Sequence, residues 1–441
     1  MKISNWGNYP IVDAEVFTPQ SVYDVKKIVA STKEIIVRGL GRCYGDSSLN
    51  TTILSTARLN RLHAFDEHTG IVTCEAGVSL EELLDIFVPR GWFLPVTPGT
   101  KFVTVGGAIA SDVHGKNHHV AGSFSNHIQS MSVLLSDGKV SSCSKNTNSD
   151  LFWATCGGMG LTGIILHATI QLMPIETVFI RQETVKAKNL FEIMDIFESS
   201  QSWTYSVAWL DTLAKGDSLG RSILMRGEHA KKLELTDTKY NFQPLTVPKK
   251  LKFTVPFFFP NMALSYATMK AFNFAFYNIK PNAVASSIID YDTFFYPLDS
   301  IHQWNKIYGK NGLTQYQFVL PKSASKEGLV TILNRISKSG HTSFLTVLKL
   351  FGKQEGILSF PMEGYNLSLD FPIRPGIFEL LDELDVLVLH YGGRLYLAKD
   401  ARMNSEMFSK SYANSEKFSE LKSRFDSRNI FHSMQSRRLG L

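Results

Sequence analysis

Three glycine-dense segments hold the residues whose types and spacing could do chemistry. The first, residues 38–46 (Arg-Gly-Leu-Gly-Arg-Cys-Tyr-Gly-Asp), follows an apolar run at 34–38 that reads as a buried strand feeding a special turn. Backbone N–H groups freed by glycine can converge there on phosphate oxygens. The spacing is G-x-G-x-x-x-G, not the Rossmann G-x-G-x-x-G, and no amphipathic helix follows Asp46, so a plain tight turn stands beside the phosphate reading. The second segment, residues 98–123, is dense enough in Gly, Ala and Ser for the backbone to approach a large flat ligand. Thr104, Ser111, His114 and Asn117 would supply polar groups for the edges of that ligand. Zinc on His114, His118 and His119 is disfavoured, because Gly115 and the absence of a carboxylate or cysteine partner argue against a helical site; no metal is expected. Histidines that satisfy loop backbone are the plain alternative. The third segment, residues 150–165, runs into another strand, and turns alone do not explain three such segments within about 130 residues.

The elements that must position these groups come from a chain of 441 residues, long enough for two or three domains. A formal charge of +6 is too mild for a nucleic-acid reader. Cys43, Cys74, Cys143 and Cys156 are scattered without a C-x-x-C pair, which suggests reduced thiols and a cytoplasmic protein. The N-terminus has no signal-peptide stretch, and no apolar run long enough to span a membrane occurs. Strands are predicted near 71–77, 131–142, 161–173, 203–210, 314–320 and 343–351. A helix begins at Ser79, with Glu82 completing a capping box and Gly91 as its stop; a second covers 376–390. The expected class is α+β. Residues 1–177 would form one domain, 178–394 a second with an antiparallel sheet and flanking helices, and 395–441 a segment returning to the first.

Taken together, the three glycine segments resemble the flavin domain of the vanillyl-alcohol-oxidase family, a PCMH-type fold of two small α+β subdomains along which FAD lies extended. The likeness continues through residues 315–318 (Gln-Tyr-Gln-Phe), 348–352 (Leu-Lys-Leu-Phe-Gly), 370–373 (Asp-Phe-Pro-Ile) and 393–400 (Gly-Arg-Leu-Tyr-Leu-Ala-Lys-Asp), which narrow it to members acting on a lipid-linked pentose. The resemblance implies oxidation of the 2-hydroxyl of a polyprenylphosphoryl ribose, with hydride passing to the flavin. An NADH-type keto-reductase partner would complete an epimerisation to the arabinose sugar used in cell-wall biosynthesis. Carried over by position, cofactor contacts fall to Val37, Arg38, Gly39, Leu40, Gly41, Arg42, Cys43, Tyr44, Gly45, Asp46 and Ser47 in the first loop. They continue with Gly99, Thr104, Val105, Gly106, Gly107, Ser111, Asp112, Val113, His114 and Asn117, then Ile165 and Tyr396. Cys43 stands where many relatives carry a flavin-linked histidine, so non-covalent FAD is expected. Lys399 would stabilise charge developing on the flavin, and His114 would face the sugar hydroxyl as base or hydrogen-bond partner. Without the resemblance, a solvated Lys399 paired with Asp400 reads equally well. Lys116, Gln315, Gln317, Lys349, Asn366 and Ser368 would line the sugar and phosphate site.

Ser368 marks a departure, since mycobacterial members carry a cysteine there, and a hydroxyl cannot form thiol adducts. Residues 247–281 combine Lys249, Lys250 and Lys252 with Phe257, Phe258 and Phe259, either as a peripheral contact to the inner membrane face or as rings filling a core. A soluble aldonolactone or alditol oxidase of the same fold, and a flavin-fold subunit without catalysis, are the rival readings.

Overall fold

A computed structural model describes residues 1–236 and 242–441. The N-terminal part is built on two sheets. In the first, β1 (Glu15–Phe17), β2 (Ile36–Arg38) and β3 (Thr52–Ser55) run parallel in the order β1-β3-β2. Helix α1 (Val22–Ser31), capped by Ser21, buries Val25 and Val29 against it. The second sheet contains β4 (Leu62–Asp66), β5 (Ile71–Glu75), β6 (Ile128–Leu134), β7 (Val140–Cys143) and β8 (Ile164–Gln171), ordered β7-β6-β8-β5-β4. Helix α2 (Leu80–Phe87) packs Leu80, Leu83, Leu84 and Phe87 into the core of this sheet, as the helical spacing predicts. Its capping box is present: Ser79 Oγ accepts from Glu82 N at 3.1 Å and the Glu82 carboxylate accepts from Ser79 N at 2.7 Å. Gly91 stops the following turn at φ 80°.

The larger sheet is antiparallel and has eight strands: β9 (Phe179–Ala187), β10 (Tyr205–Leu210), β11 (Ser222–His229), β12 (Ala285–Asp290), β13 (Leu313–Pro321), β14 (Thr346–Phe351), β15 (Gly364–Pro372) and β16 (Arg394–Leu395), in the order β12-β9-β11-β10-β14-β15-β13-β16. Tyr316, Phe318, Leu348, Leu367 and Leu369 point to one face and bury it against α5 (Leu190–Ser199), α7 (Lys322–Ser339) and α8 (Ile377–His390). The strand period of two sends Gln315, Gln317, Lys349, Asn366, Ser368 and Asp370 to the other face. Over that face lies α6 (Tyr266–Asn278), whose Phe276 stacks edge-on against Trp209 at 4.8 Å.

Beyond β16, α9 (Ser415–Phe425), which packs on α4 (Ser149–Thr155), and α10 (Met434–Leu439) turn back to the first part of the chain. Phe431 bridges Ile35, and Ile430 and Phe431 enter the core under α1. The fold is α+β, as expected. Among the described residues no helix is long and apolar enough to cross a membrane.

Candidate active site

Two walls form the site. One is the polar face of the large sheet, where the strand register places Gln315 opposite Asp370, Gln317 opposite Ser368, and Asn366 opposite Lys349. The other is the turn after α3 (Val105–Ala110), which delivers His114. His114 Nε2 and Gln317 Nε2 lie 2.9 Å apart, and Gln317 Nε2 also donates to Asn366 Oδ1 at 2.9 Å. The imidazole is 5% exposed and packed among Phe351, Phe360 and Tyr396, leaving Nδ1 without a protein partner. Burial, and secondarily the Lys349 charge, holds its pKa well below the usual imidazole range, so the ring is neutral. Asn366 Nδ2 is also unsatisfied. Exchanging both terminal amides gives that nitrogen an acceptor, Gln317 Oε1, makes His114 Nε2 the donor, and frees the Nδ1 lone pair.

Lys399 lies in the turn that follows β16, four residues after Leu395. Its ammonium lies 4.1 Å from the Tyr44 ring centroid. Asp400 is not its partner: that carboxylate binds Arg438 at 2.9 Å, and Arg438 also holds Asp46 at 2.7 Å. Burial lowers the Lys399 pKa, opposed by the Asp370 charge, and burial pushes the Asp370 carboxyl up. Lys349 is brought down to about 8 by burial and the Lys399 charge. Lys116 is brought down to about 7 by burial and then by Lys349, and its ammonium bonds the Phe294 carbonyl, 4.2 Å from the Phe294 ring centroid.

The first glycine loop closes the site from below. A Cβ on Gly39 would lie 2.3 Å from Thr104 Oγ1, and one on Gly45 would lie 1.8 Å from the Asp400 carbonyl oxygen, so glycine permits both approaches. Among the described residues, the backbone amides of residues 39–43 have no protein acceptor. Five consecutive amides without an acceptor are donors that an anion such as a phosphate could take.

Several residues assigned to the cofactor from sequence have their polar groups engaged elsewhere. Asp46 is ion-paired with Arg438. Asp112, at φ 39°, accepts from Ser125 N at 3.0 Å and from Ser359 Oγ. The amides of Val105, Gly106 and Gly107 bond Val78 O, Ala76 O and Thr104 Oγ1, so this short helix offers no free N-terminal donors at those positions. Asn117 Nδ2 bonds Pro95 O at 2.8 Å, Arg42 stacks 4.1 Å over Trp6, and Ile165 is buried with the second sheet's core. Tyr396 is brought to His114, with its hydroxyl on Ser111 O at 2.8 Å and its ring stacked on Phe360 at 4.6 Å. A Cβ on Gly99 would meet nothing within 4 Å. His118 Nδ1 accepts from Gly352 N at 3.2 Å, and His119 Nε2 meets Trp203 O at 2.9 Å, so these two rings serve loop backbone.

The sequence reading missed Asp370 and the Tyr44 ring as the neighbours of Lys399. The alternation of Asn366, Ser368 and Asp370 along one strand was the available signal for the first. It also missed His63, Glu75 and His167, which converge on the outer face of the second sheet.

The chain is 40% identical over 451 aligned residues to decaprenylphosphoryl-β-D-ribose oxidase of Mycolicibacterium smegmatis, covering 100% of this chain and 97% of the relative. The chain belongs to the decaprenylphosphoryl-β-D-ribose oxidase family. An uncharacterized protein of Streptomyces coelicolor is 33% identical over 82% of this chain and 100% of its own length. Bovine L-gulonolactone oxidase matches at 28% over 45% of this chain and 46% of its own. The FAD binding domain family matches residues 14–144, which contain the first two of the three glycine-dense segments. As a member of this oxidase family with an FAD-binding domain, the chain is an FAD-dependent oxidoreductase. The site fits that cofactor: the free amides of residues 39–43 suit its diphosphate, and the unpartnered His114 Nδ1 and the Lys399 ammonium offer polar groups where a ring system and substrate would meet.

Proposed function

We propose that the chain oxidises the 2-hydroxyl of a polyprenylphosphoryl-β-D-ribose to the 2-keto sugar. This would be the first half of an epimerisation that an NADH-type keto-reductase completes, giving the arabinose donor for cell-wall polysaccharide. The observation that carries the reading is one sheet face on which the neutral amides of Gln315, Gln317 and Asn366 adjoin the ammonium of Lys349. Amides suit sugar hydroxyls and a lysine suits a phosphodiester.

The amides of residues 39–43 would hold the FAD diphosphate, with His114, Tyr396 and Lys399 toward its ring. FAD, when bound, supplies the hydride acceptor. Lys399 contributes a fixed positive charge in a largely desolvated position, where it is worth most as negative charge develops. His114, kept neutral by burial, takes the hydroxyl proton at Nδ1 once Gln317 Oε1 accepts from its Nε2. Lys349 orients the phosphate end. Cys43, with Sγ 3.2 Å from Ser48 Oγ, has no histidine's linkage chemistry, which supports non-covalent FAD.

Exposed Leu251, Phe253, Phe257, Met262 and Phe274, together with Lys249 and Lys252, support a peripheral membrane contact over the substrate face. Lys250 does not belong to that patch, since it pairs with Asp290 at 2.5 Å and Asp292 at 3.4 Å. The rings of the patch are largely exposed and do not fill a core.

Anaerobic mixing with polyprenylphosphoryl ribose, and separately with free alditols, tests the reading. Flavin bleaching by the lipid-linked sugar alone is expected; bleaching by alditols alone would replace the reading with a free-polyol oxidase.

A further inference from the structure

On the far side of the second sheet from its core, His63, Glu75 and His167 bring one ligand atom each to within 4.8 Å of one another. The backbone arranges this. Glu75 on β5 is the direct cross-strand partner of His167 on β8. The ladder between β4 and β5 shifts register between Leu62 and Ala64, and the ladder between β8 and β6 shifts between Ile165 and His167. Both irregularities fall beside a histidine, and bulges re-aim side chains in this way. The two rings stand edge to face, centroids 4.7 Å apart, and His63 Nε2 is 4.0 Å from Glu75 Oε1.

Glu75 is held ready. Its side chain is 4% exposed, and Oε2 accepts from the Arg61 backbone N–H at 2.8 Å while Oε1 is left toward the imidazoles. Such outer hydrogen bonds orient a metal-binding carboxylate. Arg61 Nη1 reaches Oε1 only at 3.4 Å and its side chain is 60% exposed, so a cation can displace it. His63 is 41% exposed and free to close the gap. Beside the cluster opens a cleft of about 240 Å³ lined by Thr73, Thr169, Ser130 and Ser132, where hydroxyls or water can complete the coordination.

We propose that His63, Glu75 and His167 form a site for a borderline divalent cation of the zinc class, clamping the edge strand β4 across β5 to β8. Two imidazoles and a carboxylate are the donor set that such ions take with one position open. The site lies apart from the flavin machinery, on the opposite face of the sheet from the core that packs α3.

Zinc chloride titrated calorimetrically into the FAD-bound protein tests this, with metal content measured after dialysis. One bound equivalent is expected in the wild type and in His68→Ala, an exposed histidine outside the cluster. His63→Ala and His167→Ala should each weaken binding by about tenfold or more with flavin absorbance unchanged, which also reports that the variants are folded. Absence of a bound equivalent in the wild type, or its survival in the His63→Ala, His167→Ala double variant, would overturn the proposal.

Discussion

The Lys399 ammonium sits 4.1 Å from the centroid of the Tyr44 ring, while the carboxylate next to it in sequence, Asp400, is taken by Arg438 at 2.9 Å. The carboxylate whose charge acts on Lys399 is Asp370, itself held by Gln315 and not ion-paired with the lysine among the described residues. The cation therefore rests on a π face rather than being quenched by a salt bridge, which leaves its charge available to the reaction.

Replacing Lys399 with Ala should leave FAD bound, because the diphosphate loop is untouched, and should slow substrate-driven flavin bleaching by about 10²–10³-fold. Anaerobic stopped-flow absorbance on the FAD-bound variant measures both. Unchanged bleaching would remove Lys399 from the chemistry.

Lys349 gives a pH signature. Its pKa is lowered to about 8 because burial and the Lys399 charge disfavour the ammonium. The charged form that attracts phosphate is present below about 8 and is lost as pH rises through it, so kcat/KM for the lipid-linked sugar should fall on the alkaline side of pH 8. Lys349→Gln should lower kcat/KM and flatten that limb. A full alkaline limb in the variant would assign it to another group.

Local signals carried the sequence reading furthest. The capping box of Ser79 and Glu82 closes within one turn, and the alternation of Gln315 with Gln317 reports a strand face without knowledge of its partner. What stayed hidden depends on contacts distant along the chain. The resemblance assigns both Asp46 and Asp112 to the cofactor, but that their side chains are also held by Arg438 from the C-terminal helix and by Ser359 is visible only in the fold. Which rings of the 247–281 stretch face inward was opaque for another reason: Phe272 and Phe276, one turn apart on α6, stack at 5.7 Å and Phe276 packs on Trp209, while Phe274 is turned outward and exposed, a sorting that depends on a helix and not on composition. The cluster of His63, Glu75 and His167 depends on two ladder irregularities that no alternation pattern announces.

Ser368 faces the site with 8% exposure, between Val347 and Gln317 across the ladders. A hydroxyl has no accessible anionic form near neutral pH and should not add to electrophilic nitroso compounds, whereas Ser368→Cys should gain one adduct. Intact-protein and peptide mass spectrometry after treatment tests this, and an adduct at Ser368 in the unmodified chain would refute it.

Arg438 joins two parts of the site from behind. One guanidinium holds Asp46, at the end of the diphosphate loop, and Asp400, next to Lys399, both nearly buried. Arg438→Met would leave two carboxylates in a desolvated pocket, so a loss of about 3–5 kcal/mol is expected from breaking such a buried arrangement. Because both anchored segments are ones proposed to face FAD, weaker FAD retention should accompany the loss. Chemical denaturation gives the stability and flavin release on dilution gives the retention. A variant with wild-type stability and retention would show that the loop and the C-terminal helix hold their places without this arginine.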